Sequence, residues 1–198
     1  MKNLRLVIGF FLLLTASQVF ADPITLTFTE LSSRPVNGVS IAGVTFGFSV
    51  NGKASTDAVY NSAGPTGTTY VKVPALVGST LGVLTLNFIT PSDRLGFGIT
   101  FNSFNTLSPG ATVELFNSSL QSLGKFDIKT TSLTSFTESL FAVSGPSIIS
   151  RAVITFNTSV SSFAIDNLTF NVPEPATLLL LGSGLAGLAA FKKRRKNT

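Results

Sequence analysis

The 198-residue chain contains no cysteine, no histidine and no tryptophan, and a single methionine. Without cysteine there is no disulfide, no thiolate metal site and no cysteine nucleophile. Without histidine the commonest general base and the commonest metal ligand are missing. Residue types for cofactor or metal chemistry are therefore scarce, and no cofactor, no metal and no catalytic residue is expected. Charge is also scarce: 12% of residues are charged, against 44% hydrophobic.

The few charges are unevenly placed. The formal net charge is +5, but Lys2, Arg5 and the run Lys192, Lys193, Arg194, Arg195 and Lys196 hold seven of the fourteen basic residues. Between Asp22 and Asn171, seven basic residues face eight acids, a net charge of −1. The sequence pI of about 9.8 belongs to the two ends. An almost neutral middle is no nucleic-acid surface.

The N-terminal stretch 1–21 has three parts in order: positive Met1–Arg5, apolar Leu6–Leu14, then Val19-Phe20-Ala21. That is the layout of a secretory signal peptide. The apolar part is about nine residues, roughly 14 Å as a helix, too short for a bilayer core of ~30 Å. Cleavage is expected between Ala21 and Asp22, so an export translocon and a signal peptidase are expected partners.

The other end is also apolar. Residues 176–191 carry no charge and would make about 24 Å of helix. Lys192 at its end can snorkel and extend that reach. The five cations that follow mark a cytoplasmic end and act as a basic stop-transfer tail. Directly before stand Val172, Pro173, Glu174 and Pro175. Two prolines disfavour both helix and sheet ladder, so an extended, accessible peptide is expected there.

Pro173-Glu174-Pro175, the Leu-rich run from Ala176 and the Lys-Lys-Arg-Arg-Lys end together resemble the PEP-CTERM protein-sorting signal. The resemblance covers the stretch from Pro173 to the end of the chain. It implies recognition by an exosortase, a transient stay in the inner membrane and removal of the signal near the Pro-Glu-Pro motif. It also implies a bacterial exported protein, often associated with exopolysaccharide. The expected organisation is thus 1–21 signal peptide, 22–171 folded domain and 172–198 sorting signal.

Two other matches are decoys. Gly182-Ser183-Gly184-Leu185-Ala186-Gly187 fits GxGxxG, but it lies inside an apolar run close to the end of the chain. It lacks the strand before it, the helix after it and the distant acid of a dinucleotide site. Its small residues suit close helix packing instead. Ser122 to Lys125 fits SxxK, but strand-like sequence surrounds it.

The middle alternates with period two. Val44, Phe46 and Phe48; Leu84, Leu86 and Phe88; Leu95, Phe97, Ile99 and Phe101; and Ile154 and Phe156 each sit between small or polar residues. Such alternation marks strands with one buried face. Turn-forming clusters at 34–38, 62–67, 90–93, 105–110 and 144–147 divide them into about nine to eleven strands. The expected fold is all-β, a single antiparallel β-sandwich of jelly-roll type, flanked by an N-terminal signal helix and a C-terminal transmembrane helix. Fourteen of the eighteen Phe lie in this stretch and read as core.

One strand breaks its own pattern. Phe163 and Ile165 share a parity, while Leu168 and Phe170 have the other, so the face changes at Asp166-Asn167. Either a bulge lies there, or Asp166 points inward with backbone N–H groups on its carboxylate. A calcium ligand is the other use for such an acid.

For function, the neutral strands and poor chemical inventory point to a non-catalytic cell-surface or extracellular-matrix protein. The alternative is a secreted, lectin-like carbohydrate-binding module, with Tyr60 and Tyr70, either side of the 61–69 loop, as the ligand edge. An enzyme with Glu114 and Glu138 as a carboxylate pair is the third reading.

Overall fold

A computed structural model describes residues 23–172 and Gly184. The signal cleavage site Ala21/Asp22, the motif Pro173–Pro175, the apolar run 176–191 (Gly184 aside) and the basic tail Lys192–Lys196 lie outside the described residues. Among the described residues no helix is long and apolar enough to cross a membrane.

Residues 23–172 are all β, and every strand pairing is antiparallel. The chain begins with short segments, β1 (Ile24–Leu26), β2 (Arg34–Pro35) and β3 (Ser40–Ile41). Then follow β4 (Val44–Val50), β5 (Lys53–Ala54), β6 (Ala58–Ser62) and β7 (Ala75–Ser79). Two very long strands, β8 (Gly82–Phe101) and β12 (Thr137–Phe156), are 20 residues each. Between them lie β9 (Ala111–Phe116), β10 (Ser122–Ile128) and β11 (Thr131–Ser132), and β13 (Ser162–Phe170) closes the chain.

The long strands organise everything else. They pair with each other along their length, from Thr137 opposite Phe101 to Thr155 opposite Val83. Near its start β8 also carries β4, with Phe48 opposite Leu84. Near its end it carries β13, with Ile165 opposite Ile99. β9 joins the last residues of β12, and β10 forms an edge beyond it. On the other side β13 carries β7, then β6 and β2, while β1 lies along Leu168–Phe170.

The 90–93 and 144–147 clusters were expected to end strands. Both lie inside continuous strands, as corners. The ladder slips between Ser144 and Ile149 and again between Ile149 and Arg151. In β8 the buried parity is even up to Ser92 and odd from Leu95. A bulge adds residues on one strand, bends it and exchanges its faces while pairing resumes beyond. The thirteen strands therefore exceed the nine to eleven expected because short pairs such as β2, β3, β5 and β11 are added, although two expected breaks disappear.

The corners turn the halves toward each other. Phe156, late in β12, stacks on Phe163 of β13 with centroids 3.7 Å apart. Phe48 of β4 lies 6.2 Å from Phe163, and Phe88 of β8 lies 5.3 Å from Phe170. Phe28, Phe46 and Tyr60 form a second group of edge-to-face contacts. These rings, with the buried Leu, Ile and Val side chains around them, make a core that needs no disulfide. The outer edge β10 is guarded by a bulge at Ser122/Gly124 and by alternating Lys125, Asp127 and Lys129, which discourages edge-to-edge pairing. The SxxK pair thus sits on an edge strand.

Candidate functional site

Asp166 is 2% exposed. Of the two sequence expectations, the bulge is the one found, and the carboxylate still takes backbone N–H groups. Asn167 takes a left-handed conformation with φ 53°, which asparagine tolerates well. The pairing of β13 with β8 slips between Asp166 and Thr169. The carboxylate lies on the face opposite the main core, with Ala164, and is buried beneath residues 68–72. Its Oδ2 accepts the Lys72 N–H at 2.8 Å, and its Oδ1 accepts the Asn167 N–H at 2.7 Å. Burial pushes the Asp166 carboxyl above its ordinary range, and these two donations only partly offset that. The Asn167 side-chain N–H donates to the Tyr70 carbonyl at 3.2 Å.

Glu138, also buried, does the same work from β12, on the other side of β8. Its Oε2 accepts the Thr69 N–H at 2.9 Å and the Tyr70 N–H at 3.1 Å. Residues 68–72 are thus strapped to the sheet by two buried acids from β12 and β13. Thr68 Oγ1 donates to the Val71 carbonyl, and Lys72 Nζ donates to the Thr68 carbonyl at 2.6 Å. The strap lies directly on Gly98 of β8: a Cβ there would stand 2.1 Å from the Tyr70 carbonyl oxygen. Only glycine permits that approach. The strap was not foreseen, because the acids lie 68 to 94 residues from the amides they hold. The lone acids inside apolar strands were its only sequence signal.

The carboxylate pair does not form. Glu114 lies opposite Val153 near the end of β12, and Glu138 lies near its start. Glu114 accepts a bond from Ser122 Oγ at 3.0 Å, while Glu138 is consumed by the strap.

The expected tyrosine edge needs correction. Tyr60 is fully buried, and its hydroxyl donates to Glu30 Oε2 at 2.5 Å. Burial, reinforced by the neighbouring Glu30 carboxylate, raises the phenol well above its ordinary range. Burial alone pushes the Glu30 carboxyl up. Donations from Tyr60 and Thr27 outweigh it and hold Glu30 below its ordinary value. Tyr60 is therefore core, because β6 turns its ring inward against Phe28 and Phe46. Tyr70 is 40% exposed and stands alone. Ala63, Gly64 and Pro65 of the intervening loop line a cleft of about 260 Å³ with Phe136 and Ser162.

Beside the strap is a trough of about 410 Å³ on the outer face of β12, β8 and β13. Gly96 and Ala142, paired across the ladder, form its floor. Leu140, Arg94, Asn167 and Thr169 also line it. Thr169 shares a hydroxyl hydrogen bond of 2.9 Å with Thr25 of β1. The trough offers alcohol, amide and guanidinium groups over a small-residue floor. Among the described residues no group of three acidic side chains could hold a metal ion.

The end of the β body is tightly held. The Asn171 N–H donates to Ser92 Oγ at 2.8 Å, and its side-chain amide donates to Asp93 Oδ1 at 2.7 Å. Val172 packs half-buried against the core. The body is thus an antiparallel β unit latched at the doorstep of its C-terminal segment.

That segment places the chain among proteins marked for export. Residues 171–195 match the family model of the PEP-CTERM protein-sorting motif, and the chain carries that signal of exosortase-sorted proteins. No curated protein matches the chain. Among solved structures it is similar to a family 29 carbohydrate-binding module at 10% identity, covering 76% of this chain and 90% of that one, with a TM-score of 0.38. It is also similar to a cleaved adhesin domain of Lys-gingipain at 12% identity, covering 75% and 97%, with a TM-score of 0.42. A third is the enzymatically active domain of a bacteriophage CBA120 tailspike protein, at 15% identity, covering 70% and 21%, with a TM-score of 0.36.

Proposed function

We propose that this chain is a non-catalytic cell-surface or extracellular-matrix protein. Its body is a β-sandwich of jelly-roll type, carried outward by a signal peptide. It is held briefly in the inner membrane by a C-terminal transmembrane helix and processed by an exosortase near Pro173–Pro175. The sorting motif at 171–195 is the observation that carries this reading. The facing half-sheets support the sandwich, and the engagement of Asp166 and Glu138 with backbone amides supports a non-catalytic body. Association with exopolysaccharide belongs to the same proposal. The test is the intact mass of the protein from its native host, in membranes and medium separately. A species running from Asp22 to the Pro-Glu-Pro region, outside the inner membrane, supports the reading. A full-length species confined to the inner membrane overturns it.

A second reading, a secreted carbohydrate-binding module, is favoured by the trough floored by Gly96 and Ala142 beside Tyr70. The ligand edge then moves from the Tyr60/Tyr70 pair to the outer face of β8, β12 and β13. Glycan-array binding that Arg94→Ala abolishes and Tyr60→Phe leaves intact would support it.

A further inference from the structure

Both ends of the described body leave it at one edge. Ile24, at the start of β1, pairs with Phe170, at the end of β13, and the two strands are antiparallel. The chain therefore enters and departs at the same pole. Asn171 is held there by Ser92 and Asp93, at the corner of β8. Val172 stands four positions before Ala176, where the apolar run begins. Fully extended, that stretch spans at most about 14 Å.

The corner exposes aliphatic side chains. Ile89, in the excess residues of β8, is 71% exposed, and Ile148, in the excess residues of β12, is 37% exposed. The Ile89 N–H donates to the Gly43 carbonyl at 2.8 Å, and a Cβ on Gly43 would stand 3.5 Å from Val172. Ile148 precedes Ile149, which pairs with Ser92, the residue that holds Asn171. Two facing bulges thus present isoleucines around the chain exit. Other exposed apolar residues, such as Leu81 and Phe104, lie at the far ends of β8. From Leu81 to Ile89 is about 26 Å of strand.

We propose that this pole is a lipid-contacting surface. While the chain is tethered, Ile89 and Ile148 enter the headgroup region of the bilayer and hold the body upright at the site of processing. The inference rests on the membrane-anchored stage of the proposed function. A tether of about 14 Å keeps the exit close to the surface, and aliphatic side chains gain from leaving water there.

The chain's lack of cysteine makes the test clean. Single variants Ile89→Cys, Ile148→Cys, Leu81→Cys and Phe104→Cys of the full chain are labelled with a polarity-sensitive fluorophore. They are reconstituted in vesicles of phosphatidylethanolamine and phosphatidylglycerol carrying a shallow nitroxide lipid. Quenching at 89 and 148 at least threefold stronger than at 81 and 104 is expected. Equal quenching at all four sites, in chains that resist carbonate extraction, overturns the surface and leaves the anchor standing. Chains that carbonate releases overturn both.

Discussion

At the residue scale, buried Asp166 and exposed Glu30 carry opposite pH signatures. Asp166 holds its proton to a higher pH than the unfolded chain does, chiefly because it is buried. Its contribution to stability is present below the unfolded value and declines as pH rises through the folded value. Asp166→Asn leaves either the Lys72 or the Asn167 N–H facing another donor. The variant should lose about 1–3 kcal/mol. Its deficit should narrow as pH rises from 3 toward 6, as measured by urea unfolding. Glu30 behaves in the reverse sense, since donations from Tyr60 and Thr27 hold its carboxyl low. Its contribution is present above the unfolded value and is lost as pH falls through the folded value. Tyr60→Phe removes that donor and should cost about 1–2 kcal/mol at neutral pH. The cost should shrink below about pH 4.5, the ordinary value for this carboxyl.

At the element scale, the end of β13 is a latch. Asn171 meets Ser92 through its backbone and Asp93 through its side chain. Asn171→Ala loses the bond to Asp93 and should cost about 1–2 kcal/mol, and Ser92→Ala should cost a similar amount. The double variant should fall short of the sum by about 0.5 kcal/mol or more, because contacting residues are coupled. Denaturant titration of the four proteins closes that cycle. The same elements show why sequence reading stopped where it did. The alternation of Leu84, Leu86 and Phe88 and of Leu95, Phe97, Ile99 and Phe101 identified strand segments and their buried faces. It could not show that Thr90–Asp93 is a corner in one strand. Turns and bulges draw on the same residue types, and only partner strands decide between them.

At the scale of the whole molecule, charge divides the chain. The body is close to neutral, and its basic excess lies in the ends. Loss of residues 1–21 and of the segment after Pro175 should move the isoelectric point from about 9.8 to below 7. Isoelectric focusing of the full chain beside the species recovered outside the cell reads this directly. A released species that still focuses above pH 9 would mean that the basic tail is retained.

Residue order alone determined the sorting segment, the three-part layout of the N-terminus, the all-β class and the change of face at Asp166-Asn167. Each is local: a few adjacent residues set a hydropathy run, a proline geometry or a period of two. Tertiary structure decided what depends on partners distant in the chain. It buried Tyr60 on Glu30, 30 residues away, and dissolved the tyrosine edge that sequence proximity suggested. It spent Glu138 and Asp166 on amides 68 to 94 residues off and left no carboxylate pair with Glu114. It also brought Ile24 beside Phe170, so that both ends of the body share one pole. Register between strands sets these pairings, and register is a property of the whole sheet rather than of any one segment.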